Sequence, residues 1–466
     1  MKIEQIYTGC LAQGAYYIES NGEVAVIDPL REIQPYLDRA ARDNAKIKYV
    51  LETHFHADFV SGHVDLAKAS GATIVFGPNA NPSFEALIAV DKQELKLGDV
   101  TITVLHTPGH TMESSCYLLT DKDGTHKAVF TGDTLFIGDV GRPDLAQKSD
   151  ITQDDLAGFL YESLRAKLMT LPDDIIVYPA HGAGSACGKN MSKETFDTMA
   201  HQKATNYALR ADMTKEEFVK EVTDGLLPPP GYFPLNVKMN KMGYASITDV
   251  IKRGTTALTP SAFEAAANET GALILDTRSA QDFAKAFIPN SIFIGIDGGF
   301  APWVGTLITD IEQKILVVAD AGREQEVITR LARVGYDHAI GFLEGGIDAW
   351  KSVGKEVDSI VSVTADETAD KMSEGCLVLD VRKPGEYDTE HIVDVENIPL
   401  DFINDNMAFV PKDEPIYIHC AVGYRSMIFV SILRARGYQN LIYVQGGFGA
   451  IKKTGKFDFV SNDLQQ

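Results

Sequence analysis

No apolar run in the sequence approaches the roughly 18 residues that a membrane-spanning helix needs. The first residues, Met1 to Ile6, lack a basic segment followed by an apolar core, so we expect no signal peptide. Basic residues are scarce, with 43 Lys and Arg against 65 Asp and Glu, which gives a formal charge of -22 and a pI near 4.9. Such a chain would repel phosphates, so we expect neither a nucleic acid nor a membrane as a partner.

Cysteine is also scarce. The sequence contains 5 cysteines, an odd number, and they are widely scattered with no paired spacing. This usage favours a reducing cytoplasm, where an individual thiol can be catalytic, so we expect a cytoplasmic protein. The cysteines are Cys10, Cys116, Cys187, Cys376 and Cys420.

The length of 466 residues is too great for one core and suggests two to four domains. Residues 1 to about 135 have the pattern of short strands, interrupted by helical patterns at about 33–44 and 62–70. Further helical patterns cover 153–170 and 192–224, and the proline-rich stretch 227–234 predicts a rigid connector. Strands with interspersed helices predict an αββα sandwich.

Four turns in this first half each place a His or an Asp just after an apolar run. One of them, Thr53 to Asp58, offers two histidines and a carboxylate at alternate positions, so that one loop can supply several ligands to one ion. Four such turns together are a stronger signal than any one of them, and they predict a metal site along one sheet edge. The turns are 53–58, 107–110, 131–134 and 179–182.

These motifs, Thr-His-Phe-His-Ala-Asp, Thr-Pro-Gly-His-Thr, Thr-Gly-Asp-Thr and Pro-Ala-His-Gly, resemble those of the metallo-β-lactamase fold. Within that fold they are similar to the glyoxalase II and persulfide dioxygenase branch, over roughly residues 1–245. A binuclear hydrolase of this family carries a histidine directly after the motif aspartate, which would complete a second site with Asp58 and His181. Phe59 stands there instead, so a single ion is favoured.

The remaining ligands would be His54, His110 and Asp133. Two imidazoles and one carboxylate on one face leave positions open on Fe(II) for O2 and substrate, and we expect one Fe(II) per chain. His56 is either a further ligand or a hydrogen-bonding neighbour of the ligands. The resemblance implies a persulfide dioxygenase that converts a thiol persulfide and O2 to sulfite and thiol.

Other residues of this half have two interpretations each. Asp58 and His181 either orient ligands and line the substrate pocket, or are retained from a binuclear plan. Arg142 either holds an anionic group of the thiol carrier or forms a surface salt bridge. Cys187 is either a reactive thiol whose pKa Lys189 lowers or a small residue in a tight loop.

After about residue 255 one pattern occurs twice, with a period of about 101 to 104 residues. Buried-strand runs alternate with helical stretches in each copy, so we predict a duplicated α/β domain. In the last copy Cys420 follows a strand and precedes a helical stretch, which favours a thiolate. The loop consists of Cys420, Ala421, Val422, Gly423, Tyr424 and Arg425.

Residues 362–457 resemble the rhodanese sulfurtransferases, which implies that Cys420 takes sulfane sulfur while Arg425 and the loop hold the anionic donor or acceptor. The alternative for such a loop is a cysteine phosphatase, which needs five residues between cysteine and arginine to ring a phosphate. Here four intervene, Ala421 to Tyr424, which favours sulfur transfer. The first copy contains no cysteine and cannot use a thiol, so we predict a domain that spaces, docks or dimerises the active ones, in a homo-oligomer.

We therefore predict an αββα sandwich over residues 1–250 and two α/β rhodanese domains, cysteine-less at 255–357 and active at 360–466. The order resembles the bacterial persulfide dioxygenase-rhodanese fusions of sulfide detoxification. The expected partners are a persulfide of glutathione or coenzyme A type, O2, sulfite and thiosulfate, with the direction of the rhodanese step left open. The rivals are a glyoxalase II-like thioester hydrolase with a sulfurtransferase domain, and a sulfur carrier or sensor that is not an oxygenase.

Overall fold

The computed structural model describes residues 1–146 and 150–461. The chain divides into two compact units, residues 1–247 with 332–335, and residues 248–331 with 336–466. None of the helices in the described residues is long and apolar enough to cross a membrane.

Two mixed sheets form the centre of the first unit. The strands of one sheet are hydrogen-bonded in chain order: β1 (Lys2–Thr8), β2 (Gln13–Ser20), β3 (Glu23–Ile27), β4 (Lys46–Leu51), β5 (Thr73–Phe76) and β6 (Leu87–Ile88). The other sheet is likewise in chain order: β7 (Glu94–Leu97), β8 (Val100–His106), β9 (Ser115–Thr120), β10 (His126–Gly132), β11 (Ile176–Pro179) and β12 (Asp197–Thr198).

The helices of this unit are α1 (Gln34–Arg42), α2 (His63–Ser70), α3 (Gln153–Ser163), α4 (Met199–Thr205), α5 (Lys215–Thr223) and α6 (Phe233–Met242). A π-helical turn, Leu164–Leu168, continues α3, and a 3-10 turn spans Tyr207–Leu209. The helical pattern predicted over 192–224 is confirmed only for 199–223, where it is broken into short helices, and β12 occupies Asp197–Thr198. Asn206 has an extended backbone and its side chain accepts from the Ala208 N–H, while Thr214 and Glu217 form a capping box that starts α5.

Side chains that alternate along each strand face either the other sheet or the helices outside. Tyr16 and Ile18 of β2 face the second sheet and pack with Ile102 and Val104 of β8, in a core between the sheets. The residues between them face the other way. Tyr17 packs against α1 and α2, and on the second sheet Leu105, Cys116 and Leu118 pack against α3 and α5. Helices therefore cover the outer faces of both sheets, which confirms the predicted αββα sandwich.

The second unit contains two parallel sheets of the same strand order. The first copy consists of α7 (Ile247–Gly254), β13 (Ala257–Leu258), α8 (Pro260–Thr270), β14 (Leu273–Asp276), α9 (Ala280–Lys285), β15 (Ile292–Phe293), α10 (Phe300–Leu307), β16 (Ile315–Val318), α11 (Glu324–Arg333), β17 (Ala339–Leu343) and α12 (Gly346–Ser352). Its sheet has the order β13-β17-β16-β14-β15.

The second copy repeats this order as β18-β23-β22-β19-β21. Its elements are β18 (Val361–Val363), α13 (Ala365–Ser373), β19 (Leu377–Asp380), α14 (Pro384–Thr389), β20 (Glu390–Ile392), β21 (Glu396–Asn397), α15 (Ile403–Asn406), β22 (Ile416–His419), α16 (Tyr424–Ala435), β23 (Leu441–Val444), α17 (Gly447–Thr454) and β24 (Phe459–Ser461). Buried runs such as Ile315–Val318 form the central parallel strands, as expected for strands covered on both faces. The predicted duplicated α/β architecture is confirmed.

Candidate metal centre and candidate cysteine site

The four predicted turns lie at the carboxyl ends of strands in the first unit. The turn at Thr53 follows β4, and Thr107 directly follows β8. Asp133 follows β10, and His181 lies just beyond β11. Because β8 and β10 both pair antiparallel with β9, and β11 is parallel to β10, these three strands end at one edge of their sheet. A hydrogen bond of 2.9 Å from the Ser115 N–H to the Thr53 carbonyl joins the first sheet to that edge.

His54, His110 and Asp133 are buried and hold ligand atoms within 4.8 Å of one another. Nε2 of His110 lies 3.4 Å, and Nε2 of His54 3.9 Å, from Oδ2 of Asp133. The other ring nitrogens are occupied, because Nδ1 of His54 is 3.0 Å from Oγ1 of Thr53 and Nδ1 of His110 is 2.8 Å from the Arg142 carbonyl. Both Nε2 atoms therefore remain for an ion. Burial, with neighbouring histidines, lowers the pKa of His54, which keeps it in the neutral form that binds metals.

His56, Asp58 and His181 form a second buried group within the same 4.8 Å limit. Nε2 of His181 lies 3.4 Å from Oδ2 of Asp58 and 3.6 Å from Oδ1 of Asp133. Asp133 therefore presents one oxygen to each group. The ring of Phe59 is fully buried and lies 4.4 Å from the His56 ring, between centroids, where it offers no donor.

These residues fit a metal ion. Both carboxylate oxygens of Asp133, both ring nitrogens of His181 and Oδ1 of Asp58 are buried and have no hydrogen-bond partner within the described part of the chain. Buried polar atoms without partners cost free energy, and a bound cation would offset that cost. Imidazole and carboxylate donors suit zinc and iron alike.

A pair of buried carboxylates lies behind the motif loop. Nε2 of His56 is 3.0 Å from Oδ1 of Asp28 and 3.7 Å from Oε2 of Glu52. Burial alone would lower the pKa of His56, but the charges of Asp28 and Glu52 raise it to about 9. Burial, together with Asp28, raises the pKa of Glu52. Nε2 of His56 therefore faces these acids at ion-pair distance, without a well-formed hydrogen bond to either.

Sequence reasoning missed two residues that hold the motif loop. Asp28 accepts from the N–H and the hydroxyl of Thr53, both at 2.8 Å. Its position after the apolar run of β3 is a signal that could have found it, because Asp133 follows β10 in the same way.

The second missed residue is Asn240, on α6. Its amide donates to the carbonyls of His56 and Phe59 at 2.8 Å each, and its oxygen accepts from the Ser61 N–H at 2.8 Å. These partners lie roughly 180 positions away along the chain, and no local pattern connects them.

Arg142 lies beside the centre but is engaged. Its guanidinium bonds both oxygens of Asp144 at 2.6 Å and also donates to the carbonyls of Leu227 and Ala186. The salt bridge that we considered as an alternative is thus present, though buried rather than at the surface. An anionic group of a thiol carrier would have to displace Asp144.

The interpretation of Cys187 as a thiol activated by Lys189 is wrong. Nζ of Lys189 donates to the carbonyls of Glu221 and Asp224. Burial, with the charges of Asp58 and Asp133, raises the pKa of Cys187 well above its ordinary value. The thiol instead lies in the metal centre, within 4.8 Å of ligand atoms of Asp133 and His181. The spacing of Cys187 and Lys189 could not show that the loop folds inward.

In the second unit Cys420 directly follows β22 and is buried. Its Sγ accepts from the Gly423 N–H at 3.2 Å and lies 3.5 Å from the Ser426 hydroxyl. A loop between a strand and a helix is expected to aim successive backbone N–H groups at such a sulfur. Among the described residues one backbone N–H and one hydroxyl make contacts of this kind. Gly423 has a φ of 104°, a conformation that a residue with a Cβ rarely adopts, so the loop needs glycine there.

The other residues of the loop make different contacts. Arg425 pairs with both oxygens of Glu386, at 2.5 and 2.8 Å, so that an anion held by Arg425 would compete with Glu386. Ala421 is partly exposed and Val422 is 72% exposed. A cavity of about 200 Å³ borders the loop and is lined by residues of both copies, among them Val422, Gly423, Tyr424, Tyr443, Gln281 and Phe293.

The cysteine-less copy has a different loop in the same frame. β16 and β22 each pair in register with the strand that ends in an aspartate, Asp276 or Asp380. The position after the strand is therefore Ala319 in one copy and Cys420 in the other. Five positions further on, Glu324 stands where the active copy has Arg425. The loop therefore has no cysteine and no positive charge at the position of Arg425, and its own arginine, Arg323, pairs with Asp297 and Glu326.

Comparisons with known proteins agree with this architecture. A family model for the metallo-beta-lactamase superfamily matches residues 8–181, and one for the rhodanese-like domain matches residues 259–353 and 364–454. A crystal structure of a metallo-beta-lactamase from Staphylococcus aureus superposes with a TM-score of 0.65 at 28% identity, over 74% of this chain and 98% of that one.

Two curated relatives differ in activity. The probable hydroxyacylglutathione hydrolase glo2 of Schizosaccharomyces pombe is 32% identical over 197 residues, which are 42% of this chain and 72% of the relative. The mitochondrial persulfide dioxygenase ETHE1 of Homo sapiens is 29% identical over 220 residues, which are 47% of this chain and 78% of the relative. Similarity therefore extends to a hydrolase and to an oxygenase.

Proposed function

Because the chain belongs to the metallo-beta-lactamase superfamily and carries two rhodanese-like domains, we propose that it is an iron-dependent persulfide dioxygenase coupled to a sulfurtransferase. The first unit would convert R-S-SH, O2 and H2O to R-SH, sulfite and two protons. R-S-SH is the persulfide of a small thiol of the glutathione or coenzyme A type. The second unit would form or use thiosulfate.

Phe59 is the observation that carries this proposal. A buried aromatic ring stands against His56 at the position where a hydrolase with two metals would have a further ligand. Both groups have three donors, but the second lacks that further histidine, and Nε2 of its His56 faces Asp28 at 3.0 Å, so His54, His110 and Asp133 are the better set for a single ion. Two imidazoles and one carboxylate are the ligand set of the non-haem Fe(II) oxygenases.

Bound Fe(II) would supply open coordination positions at which O2 is activated toward sulfur. Residues of the chain would orient the ligands of the iron. Thr53 fixes the imidazole of His54, and the Arg142 carbonyl fixes that of His110, in each case through Nδ1. His181 and Asp58, 3.4 Å apart, would line the substrate pocket and can hold a proton between them. Burial raises the pKa of Asp58, which favours such a shared proton.

In the second unit Cys420 would carry sulfane sulfur as a persulfide. Its Sγ would attack the outer sulfur of thiosulfate, releasing sulfite and leaving Cys420-S-S⁻. In the opposite direction sulfite would take that sulfur and restore the thiolate. Arg425, once released from Glu386, would hold the anion in either direction. The product of the first unit is thus a reactant of the second.

A thioester hydrolase is the second candidate, and one observation favours it. Asp133 presents one oxygen to each of two donor groups, which is the arrangement of a bridging ligand between two metals. Hydroxyacylglutathione hydrolases also occur among the relatives.

Oxygen-electrode kinetics on the full, iron-loaded chain would decide between the two. We expect O2 uptake on addition of glutathione persulfide, about one iron per chain, and loss of uptake in His110→Ala. The matched control is His201→Ala, because His201 is exposed and lies outside the donor groups. About two zinc ions per chain, with thioester hydrolysis and no O2 uptake, would instead establish the hydrolase.

A further inference from the structure

The loop that carries Cys420 is held from outside its own domain copy. Tyr424, the first residue of α16, donates a hydrogen bond of 2.6 Å from its hydroxyl to the carbonyl of Gly295 in the cysteine-less copy. Its ring also meets Phe293 of that copy edge-on, with 6.0 Å between centroids. Tyr424 directly follows Gly423, whose N–H donates to the Cys420 sulfur. The cysteine-less copy therefore holds the residue next to Gly423, which donates a hydrogen bond to that sulfur.

Comparison of the two copies shows that the cysteine-less one is specialised at this contact. The segment after β15 and the segment after β21 make the same backbone hydrogen bonds, which aligns them residue by residue. These bonds are Ile294 N–H to Asp276 and Ile296 N–H to Thr277 in one copy, and Ile398 N–H to Asp380 and Leu400 N–H to Val381 in the other. In this alignment Gly295 stands where the active copy has Pro399, and Gly298 where it has Phe402.

Gly298 is required by the space that Tyr424 fills. A Cβ at this position would lie 2.3 to 2.8 Å from three carbons of the Tyr424 ring, closer than real Cβ contacts occur. The φ of Gly298 is not in the left-handed region, so the backbone itself would accept alanine. The adjacent Gly299 differs, because its nearest neighbour would be the Trp303 ring at 3.3 Å.

A second contact fixes the helix that starts at Tyr424. The N–H of Phe293 donates to Oγ of Ser431 at 2.9 Å, and both residues are buried. Ser431 lies on α16, two turns beyond the cysteine loop. The segment 293–298 thus contacts α16 at two places, at its first residue, Tyr424, and at Ser431.

We propose that segment 293–298 of the cysteine-less copy is a positioning element for the Cys420 loop. It holds Tyr424 and thereby keeps the Gly423 N–H aimed at the sulfur, so that the thiolate of Cys420 is stabilised. This gives the cysteine-less copy a function that needs no cysteine of its own. The inference rests on the proposed function in one respect, that Cys420 is the reactive thiol.

The test uses the full-length chain and the pH profile of Cys420 alkylation by iodoacetamide, followed by mass spectrometry of the peptide that contains Cys420. We expect Gly298→Ala to move the alkylation profile to higher pH and to slow Cys420 alkylation about tenfold on its acidic limb, because the thiolate is the form that reacts. Tyr424→Phe, which removes only the hydroxyl, should shift the profile in the same direction. Gly299→Ala is the matched control and should leave the profile unchanged.

A double-mutant cycle shows whether the effect passes through Tyr424. In a Tyr424→Ala background, Gly298→Ala should cause no further shift, because the collision is gone. An unchanged profile in Gly298→Ala, or a shift that persists undiminished in the Tyr424→Ala background, would overturn the inference. If Gly298→Ala does not fold, Tyr424→Phe decides alone, and an unchanged profile then overturns it.

The same data separate this inference from the proposed function. A wild-type Cys420 that reacts neither with iodoacetamide nor with thiosulfate would remove the sulfurtransferase half of the proposed function. A reactive wild-type Cys420 with unaffected variants would remove only the positioning element. Oxygen uptake by the first unit plays no part in this test.

Discussion

At the scale of a single residue, the proposed chemistry rests on Phe59, the apolar side chain that follows Asp58 and packs against His56. We predict that Phe59→His raises the metal content from about one toward two ions per chain and lowers persulfide-dependent O2 uptake. The added imidazole would complete the group that contains Asp58 and His181. Elemental analysis of the purified variant, together with the oxygen electrode, measures both effects.

Phe55→His is the matched control for this prediction. Phe55 belongs to the same loop and is buried, but its ring packs with Phe76, 4.7 Å away between centroids, in a separate apolar cluster. Its replacement should leave the number of bound ions unchanged. A Phe59→His protein that still binds one ion, with undiminished O2 uptake, would show that Phe59 does not set the metal count.

Cys420 supports a second prediction for a single residue. Cys420→Ser should abolish thiosulfate turnover, because the hydroxyl cannot carry sulfane sulfur, and should leave O2 uptake by the first unit intact. Cys376→Ser is the control, since Cys376 is partly exposed and lies before β19, outside the loop. Parallel assays of thiosulfate turnover and O2 uptake on both variants provide the measurement. Retained turnover in Cys420→Ser would exclude the thiol mechanism.

The sequence could predict site residues when their side-chain chemistry and their local spacing both indicate the same function. His54, His110 and Asp133 follow this rule, and the structure brings all three within 4.8 Å. It could not predict Asn240, because the three backbone groups that Asn240 holds lie about 180 positions away. It gave the wrong environment for Cys187, because spacing alone does not say whether a glycine-rich loop faces solvent or folds inward.

At the scale of elements, α3 supports one of the metal turns. The hydroxyl of Ser163, the last residue of α3, donates to the carbonyl of Pro108 at 2.8 Å, two residues before His110. The sequence predicts one helix over 153–170, whereas the structure changes to a π-helical turn after Ser163. Hydrophobic spacing cannot show this change, because both forms bury the same face through Leu160, Leu164 and Leu168.

We predict that Ser163→Ala destabilises the first unit by about 1–3 kcal/mol, because the Pro108 carbonyl would lose its partner inside the protein. Calorimetry should show a lower midpoint for the transition of the first unit, and metal affinity should fall as the His110 turn loosens. Thr205→Ala serves as the control, since the hydroxyl of the exposed Thr205 donates to the carbonyl of His201 in its own helix and makes no other bond within the described residues. Equal effects of the two substitutions would contradict a supporting role for α3.

At the scale of the whole chain, the order of an αββα sandwich and two α/β copies was predictable because each has its own periodicity and motifs. The repeat of about 101 to 104 residues was visible in runs such as Ile315–Val318 and Ile416–His419. The role that we propose for the cysteine-less copy was not predictable from the sequence, because the contact between Tyr424 and Gly295 joins residues 129 positions apart. The sequence shows that this copy has no cysteine, but it does not show that the copy contacts the cysteine loop of the other one.

The two chemistries should separate when metal is removed, because all four groups of possible metal ligands in the described residues belong to the first unit. A chelator should abolish O2 uptake and lower the calorimetric midpoint of the first unit, since the buried oxygens of Asp133 would lose their cation. Added Fe(II) at about 100 times its dissociation constant should restore about 2.7 kcal/mol. Thiosulfate turnover at Cys420 should remain unchanged throughout, because its sulfur contacts a backbone N–H and a hydroxyl and belongs to none of the four donor groups of the described residues. A parallel fall of both activities on chelation would mean that the sulfurtransferase depends on the metal centre, and the two-step division of labour would then be wrong.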